Sequence, residues 1–98
     1  MKNVYYNPEE FGLETVGEFE IEASFYSFDI FAVWRDPKSG KFYTATDSGC
    51  SCPTPFEDYD SIESLTAHEN AHSVLAEIQS YKNTYESPAD LISRIMAF

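Results

Sequence analysis

His68, Glu69 and His72 match the pattern H-E-x-x-H, the sharpest local signal in this 98-residue sequence. On a helix, two histidines four positions apart share a face and can bind one zinc ion. The glutamate between them can then act as the general base on a metal-bound water. The motif therefore gives a first hypothesis, a zinc-dependent hydrolase with Glu69 as its catalytic base.

A third zinc ligand is suggested by resemblance. The pattern resembles that of short zincin-type metallopeptidases, in which a downstream glutamate completes the ligand set, and this likeness implies Glu86 for that role. Local helix signals oppose the hypothesis. Thr66 and Glu69 form a capping box, which would begin a helix and place His68 in its first turn. Ser87-Pro88 marks the start of another helix, so Glu86 would lie in the preceding loop.

Cys50 and Cys52 give a second candidate metal site. Two thiolates together with His68 and His72 would form a tetrahedral zinc set. The histidine spacing suits a zinc finger, but one residue separates the cysteines where two to four are usual. Two histidines on an amphipathic helix without a metal explain both patterns more simply. The sequence therefore favours a protein without a cofactor, with zinc as the alternative.

Acidic residues dominate the charge, because 17 Asp and Glu against 6 Lys and Arg give a formal net charge of −11. Such a field repels nucleic acid and anionic membranes and attracts basic surfaces. Alternate side chains of a strand share one face about 6.6 Å apart, on the scale of successive backbone phosphates. A row so spaced could occupy the nucleic-acid site of a basic protein: Glu14, Glu18, Glu20 and Glu22. The alternative is the solvated face of an edge strand, whose charges discourage aggregation.

A second acidic surface is predicted in residues 47–59, which lack periodicity and form a loop. Its carboxylates Asp47, Glu57 and Asp58 are candidate contacts, because loops on a rigid sheet often carry function. The D-x-D-x-D-G frame of a calcium loop is missing. This loop is therefore predicted to contact a macromolecule and not a metal ion.

The first half of the chain has the period of β-strands, beginning with an alternation of apolar and acidic residues. In residues 25–35, Phe31 and Val33 occupy the face opposite to a first apolar set, which predicts a central strand covered on both sides. A turn at residues 36–41 contains proline and glycine at positions that suit a hairpin. We expect it to lead into a third strand over residues 42–46.

The second half of the chain has a helical period. Apolar residues recur at three- and four-residue spacing and predict helices over residues 61–82 and 88–97. Strands first and helices second predict an α+β fold, an antiparallel sheet of three or four strands with both helices packed on one face. The expected organisation is a single domain over residues 1–98, mainly β up to residue 59 and helical from residue 60.

The sequence contains no apolar run near the roughly 20 residues of a membrane span. Its N-terminus lacks the apolar core of a signal peptide. A disulfide between cysteines with one residue between them would close too small a loop to stabilise a fold. These features favour a cytoplasmic protein that contacts neither membrane nor nucleic acid directly.

Two segments, residues 6–14 and residues 47–59, resemble a group of small acidic proteins of uncharacterised function from actinobacterial phages. The likeness covers roughly residues 5–60, and its most specific part is Cys-Ser-Cys-Pro within DSGCSCP-x-PFEDY. It implies a phage accessory protein that acts in the cytoplasm of a bacterial host. No catalytic or binding residue follows from the likeness, and the H-E-x-x-H motif lies outside it.

Charge and resemblance together predict a non-enzymatic protein that binds a host macromolecule, preferably a basic protein, through an acidic surface. Two alternatives come from other classes. One is the zinc hydrolase described above, and the other is a virion or assembly component whose function depends on self-association. The sequence leaves the oligomeric state and the identity of the partner open.

The zinc hypothesis makes a quantitative prediction. If His68 and His72 are ligands, protein purified without chelator contains about one zinc ion per chain, and the His72→Ala variant loses it. Elemental analysis of the two proteins measures this directly. A Cys50→Ser variant then separates the two ligand sets, because it loses zinc only if the cysteines take part.

Overall fold

The structure, a computed structural model, describes residues 4–22, 27–50, 61–81 and 84–98. Within these residues four antiparallel strands form one sheet whose order in space is their order along the chain. The strands are β1 (Glu14–Glu20), β2 (Ser27–Arg35), β3 (Phe42–Cys50) and β4 (Thr66–His68). Two α-helices follow, α1 (Ala71–Gln79) and α2 (Ala89–Met96). The predicted α+β class is confirmed.

Both faces of the sheet are covered, because successive side chains of β2 point to opposite sides. Phe31 and Val33 are buried in a core shared with α1 and α2. Ile30, Ala32 and Trp34 are buried in a second core on the other face. The N-terminal segment and two short 3₁₀ helices, Pro8–Phe11 and Ile62–Ser64, contribute to this second core. The prediction of a central strand covered on both sides is confirmed.

The helix predicted over residues 61–82 forms only over Ala71–Gln79, and the prediction is wrong for residues 61–70. Residues 62–64 form a 3₁₀ helix and residues 66–68 form β4, which pairs with Phe42–Thr44 of β3. The α-helix starts after Asn70, whose side chain accepts a hydrogen bond from the Ser73 N–H at 3.0 Å. The capping box predicted at Thr66 does not form, because Thr66 pairs with Thr44 across the sheet.

The second helix agrees closely with its prediction. α2 covers Ala89–Met96, and the Ser87 hydroxyl accepts a hydrogen bond from the Ala89 N–H at 3.2 Å. Leu91 and Ile95 are buried against the sheet. Among the described residues, no helix combines the length and the apolar character needed to cross a membrane.

The turn between β2 and β3 also forms as predicted. The Asp36 N–H donates to the Lys41 carbonyl at 2.9 Å, and Gly40 takes the left-handed conformation with φ of 80°. The third strand is longer than predicted, because β3 continues through residues 47–50, which were assigned to a loop. The rest of that predicted loop, residues 51–59, lies outside the described residues.

A β-bulge interrupts the pairing of β1 with β2. Glu14 lies opposite Arg35, and the register shifts between Thr15 and Gly17, so that Glu18 lies opposite Ala32. The extra residue inverts the alternation of side chains along β1. Glu14 therefore lies on the helix-covered face, whereas Glu18 and the following alternate residue lie on the other face.

The bulge brings the β1 backbone close to α2 at Gly17. A Cβ atom at this position would lie 3.0 Å from Leu91 Cδ1 and 3.3 Å from Arg94 Nη1. We predict that Gly17→Val lowers the free energy of unfolding by about 1–3 kcal/mol, because the added side chain overpacks this contact. Urea denaturation measures the change.

The control for this variant is Thr15→Val, at an exposed position of the same strand. Its free energy of unfolding should stay close to that of the unmodified protein. Equal losses in the two variants would contradict the close approach of α2 to Gly17.

Candidate functional site

His68 lies in β4 and is buried, with 9% of its surface exposed. Its register partner is Phe42, which belongs to the core under the helices. The His68 side chain therefore points to the helix-covered face, where the first turns of α1 pack. The histidine that the sequence placed on a helix is thus a strand residue whose ring is enclosed by β3 and α1.

Three side chains hydrogen-bond the His68 ring. Its Nε2 lies 3.0 Å from Thr44 Oγ1 and 3.0 Å from Glu77 Oε1, and its Nδ1 lies 2.7 Å from Ser73 Oγ. The Thr44 hydroxyl donates to Glu77 Oε1 at 2.7 Å. Thr44 is fully buried, Glu77 is partly buried and Ser73 is exposed. These four residues are called the His68 cluster below.

Sequence reasoning did not find the partners of His68. Thr44 lies on another strand, 24 positions away, and no spacing rule connects the two. Ser73 and Glu77 follow His68 by five and nine positions, which suggests no contact for residues of one continuous helix. The contacts arise because the chain leaves β4 at Glu69 and turns back over the sheet as α1.

The proposed zinc ligands His68, His72 and Glu86 do not converge. Glu86 lies beside β1, where its carboxylate accepts the Glu20 N–H at 2.7 Å. His68 lies in β4, at the opposite edge of the described sheet. His72 is exposed in the first turn of α1. The geometry required by H-E-x-x-H, two histidines on one helical face, is therefore absent.

The remaining candidates of the metal hypotheses are Glu69 and the two cysteines. Glu69, the candidate base, is exposed and lies 3.8 Å from Lys41 Nζ. Cys52 and the Cys50 side chain lie outside the described residues, so the second ligand set is untested. Within the described part of the chain, no group of three or more His, Cys, Asp or Glu side chains could hold a metal ion.

Carboxylates gather at the end of the sheet remote from the β2–β3 turn. Glu20, Ile30 and Asp47 form one cross-strand row. Asp29 lies one position along β2, and its carbonyl accepts the Ile21 N–H at 2.7 Å. The Glu86 N–H donates to the Glu20 carbonyl at 3.0 Å. We call this region the acidic end, and it comprises Glu20, Glu22, Asp29, Asp47 and Glu86.

Like charges in the acidic end perturb one another. Burial and then the nearby Glu22 carboxylate raise the pKa of Asp29 above its usual value. Burial, followed by the charges of Glu77 and Asp29, raises the pKa of Tyr81. Both shifts mean that this region disfavours further negative charge. A cation placed here would relieve that repulsion.

The cationic residues that the structure describes lie elsewhere. Arg35 Nη1 lies 3.4 Å from Glu14 Oε1, and its guanidinium carbon lies 4.6 Å from the centre of the Phe98 ring. Lys38 and Lys41 are in or beside the β2–β3 turn. Arg94 Nη1 donates to the Val16 carbonyl at 3.2 Å. Arg35, Lys38 and Lys41 therefore lie away from the acidic end, whereas Arg94 lines a cavity together with Glu86.

The four glutamates predicted to form one row are divided by the bulge. Glu14 faces Arg35 on the helix-covered side, which corrects the prediction of a continuous row. Glu18 lies on the opposite face, where both of its carboxylate oxygens accept from Tyr5 Oη at 2.7 and 2.6 Å. Burial and this bond raise the pKa of Tyr5. Glu57 and Asp58 lie outside the described residues.

A small open cavity of about 160 Å³ lies along the outer edge of β1, next to α2. The carboxylate-bearing residues Glu18, Glu86 and Asp90 line it, together with Arg94. The cavity adjoins the acidic end through Glu86. The cavity is open and lined mainly by charged side chains, and these features do not indicate a particular small molecule.

A family model described as a domain of unknown function, DUF7574, matches residues 2–97. The chain belongs to this family. Neither the curated proteins nor the solved structures contain a match to the chain. Membership in the DUF7574 family assigns no activity, so functional inference depends on the geometry of the two regions described above.

The electrostatics of the acidic end predict a pH-dependent effect of one substitution. The pKa of Asp29 is raised in the folded state, so its ionisation destabilises the fold as pH rises through that pKa. Asp29→Asn removes the charge. We expect its thermal unfolding midpoint to exceed that of the unmodified protein at pH 7, with the difference vanishing near pH 3.

Asp36 provides a comparison in which the pKa shift has the opposite sign. Its hydrogen bond from the Lys38 N–H lowers its pKa, so its ionised form stabilises the fold and this contribution is lost as pH falls. Asp36→Asn should therefore lower the midpoint at pH 7. A lower midpoint for Asp29→Asn at pH 7 would contradict the repulsion assigned to the acidic end.

Proposed function

We propose that this DUF7574 protein is a phage accessory protein that binds a basic host protein through its acidic end. The observation that carries this proposal is the separation of charge along the sheet. Arg35, Lys38 and Lys41 lie at or near the β2–β3 turn, and the carboxylates of the acidic end lie at the other end. A formal net charge of −11 adds a long-range field of the same sign.

Separated charge favours an oriented encounter. A basic partner is attracted over a distance of about a Debye length, roughly 8–10 Å at physiological salt. At the turn end, Arg35 lies 3.4 Å from Glu14 and Lys41 lies 3.8 Å from Glu69, so cations offset carboxylates there and the attraction of a basic partner is weaker. The acidic end then meets the partner first, so charge selects both the partner class and the surface that contacts it.

The arrangement of β1 also supports occupation of a nucleic-acid site. Glu18 and Glu20 lie on the same face of β1, with the spacing of alternate strand residues, about 6.6 Å. The bulge limits this ordered pair to the part of β1 beyond Gly17, and Glu22 extends the charge past the strand end. Two to three carboxylates of this kind would occupy part of a phosphate-binding surface on a basic protein.

The resemblance of residues 5–60 to actinobacterial phage proteins supports the viral part of the proposal and a location in the host cytoplasm. The zinc hydrolase receives no support from geometry, because His68, His72 and Glu86 do not meet. Binding therefore accounts for more of the described features than metal-dependent hydrolysis does.

The proposal predicts the behaviour of a charge-neutralised variant. Glu20→Gln combined with Glu22→Gln removes two charges from the acidic end and leaves the backbone bonds of Glu20 to Glu86 in place. Exposed ion pairs contribute about 0.2–1 kcal/mol each, so binding to a basic partner should weaken roughly two- to thirtyfold. The measurement is a pull-down from nuclease-treated actinobacterial lysate, quantified by mass spectrometry.

The matched control is Glu9→Gln combined with Glu10→Gln. Both residues are exposed in the Pro8–Phe11 turn, near the Glu14 end of β1, and the variant has the same change in net charge. It should retain the basic protein that the first variant loses, and higher salt should release that protein from both baits. Equal retention by the two variants would show that total charge, and not the acidic end, is responsible. Retention of no basic protein at any salt would refute the proposal itself.

A further inference from the structure

The His68 cluster contains a serine, a histidine and a carboxylate in one hydrogen-bonded chain. Ser73 Oγ lies 2.7 Å from His68 Nδ1, and His68 Nε2 lies 3.0 Å from Glu77 Oε1. A nucleophile in contact with a base, which is itself oriented by a third group, is the arrangement that activates serine in covalent catalysis. The function proposed above makes no use of it.

The hydrogen-bond donors of the cluster determine which nitrogen of the neutral ring holds the proton. The Thr44 hydroxyl donates its only hydrogen to Glu77 Oε1, so toward His68 it can only accept. A carboxylate also only accepts. His68 Nε2 must therefore be the N–H donor to both Thr44 and Glu77. In the neutral ring Nδ1 then carries the lone pair and accepts from the Ser73 hydroxyl.

Exposure divides the cluster in a way that suits a nucleophile. Thr44 is fully buried and His68 nearly so, whereas Ser73 is exposed at the third position of α1. The Ser73 N–H bonds to the Asn70 side chain, which fixes the backbone that carries the hydroxyl. The first turn of a helix also has N–H groups without intrahelical acceptors, and such groups stabilise oxyanions.

We propose that Ser73 is a nucleophile for acyl transfer from carboxylic esters, with His68 as its base and Glu77 as the positioning residue. Ser73 Oγ attacks the ester carbonyl carbon while its proton passes to His68 Nδ1. The C–O bond to the leaving alcohol then breaks, and His68 returns the proton to that alcohol. Water then attacks the acyl carbon while His68 takes its proton. The C–O bond to Ser73 breaks, His68 returns the proton to Ser73 Oγ, and the carboxylic acid is released.

The substrate class follows from charge. The net charge of −11 opposes the approach of an anionic ester to Ser73. The exposed Glu69, just before the Asn70 cap of α1, adds to this repulsion. A neutral or cationic ester is therefore the expected substrate. The open surface at Ser73 makes small, activated esters the most reactive class.

A fluorophosphonate probe tests the nucleophile directly, because it forms a stable adduct with an activated serine. Intact mass should show one adduct, and peptide mapping should place it on Ser73. Ser93, exposed in α2, is an internal control without a histidine partner in the described structure. General-base assistance contributes about 10²–10⁴-fold, so Ser73 should react at least roughly a hundredfold faster than Ser93.

Variants separate catalysis from structure. Ser73→Ala should keep the circular dichroism of the unmodified protein and lose both the adduct and the burst of p-nitrophenol from p-nitrophenyl butyrate. Glu77→Gln should slow labelling about tenfold or more, and Glu77→Asp, which keeps the carboxylate, should recover part of that rate, a rescue that a merely structural role would not produce. Labelling of Ser73 no faster than that of Ser93 would overturn the proposal, as would an unchanged rate in Glu77→Gln.

Discussion

The hydrogen bonds of the His68 ring connect β4 to β3 and to α1, and the positions of β4 and α1 depend on them. β4 is only three residues long, which is too short for backbone pairing alone to hold it at the edge of a sheet. The ring, Thr44 and Glu77 form a hydrogen-bonded group between β3, β4 and α1. In this group the His68 Nε2–H and the Thr44 hydroxyl each have an acceptor. A buried polar network that is fully satisfied specifies one arrangement, because any alternative leaves a group unpaired. α1 starts after Asn70 and crosses the sheet in a direction that brings Glu77 to the His68 ring.

A second constraint, the excess of carboxylates, shapes the other edge of the sheet. The bulge between Thr15 and Gly17 directs Glu14 to Arg35, where opposite charges meet, and leaves Glu18 to accept from Tyr5. Glu86 pairs with the edge of β1, because its carboxylate accepts from the Glu20 N–H and its own N–H donates to the Glu20 carbonyl. These contacts satisfy individual carboxylates, but the acidic end as a whole keeps its repulsion. Binding of a cationic surface would lower this electrostatic cost, which links the stability of the fold to its proposed function.

The sequence predicts those parts of the fold that depend on local chemistry. The β2–β3 turn, the two-sided burial of β2 and the start of α2 near Ser87 each follow from residues within a few positions. The failures arise where distant residues compete with local signals. The capping box at Thr66 does not form, because Thr66 pairs with Thr44 in the sheet. The even spacing of the β1 glutamates does not indicate the bulge between Thr15 and Gly17. The His68 cluster could not be predicted, because Thr44 and Glu77 meet only after the sheet and α1 have packed.

The protonation of the His68 ring tests the central claim that this histidine is a buried, hydrogen-bonded strand residue and not a metal ligand on a helix. Nitrogen-15 NMR of the imidazole nitrogens, at a pH where the rings are neutral, reports which nitrogen of each histidine holds the proton. The structure predicts a single tautomer for His68, with hydrogen on Nε2 and a free lone pair on Nδ1. The exposed His72 serves as the internal reference and should show the averaged signals of a solvated ring. A proton on His68 Nδ1, or tautomer averaging like that of His72, would contradict the cluster and the account based on it.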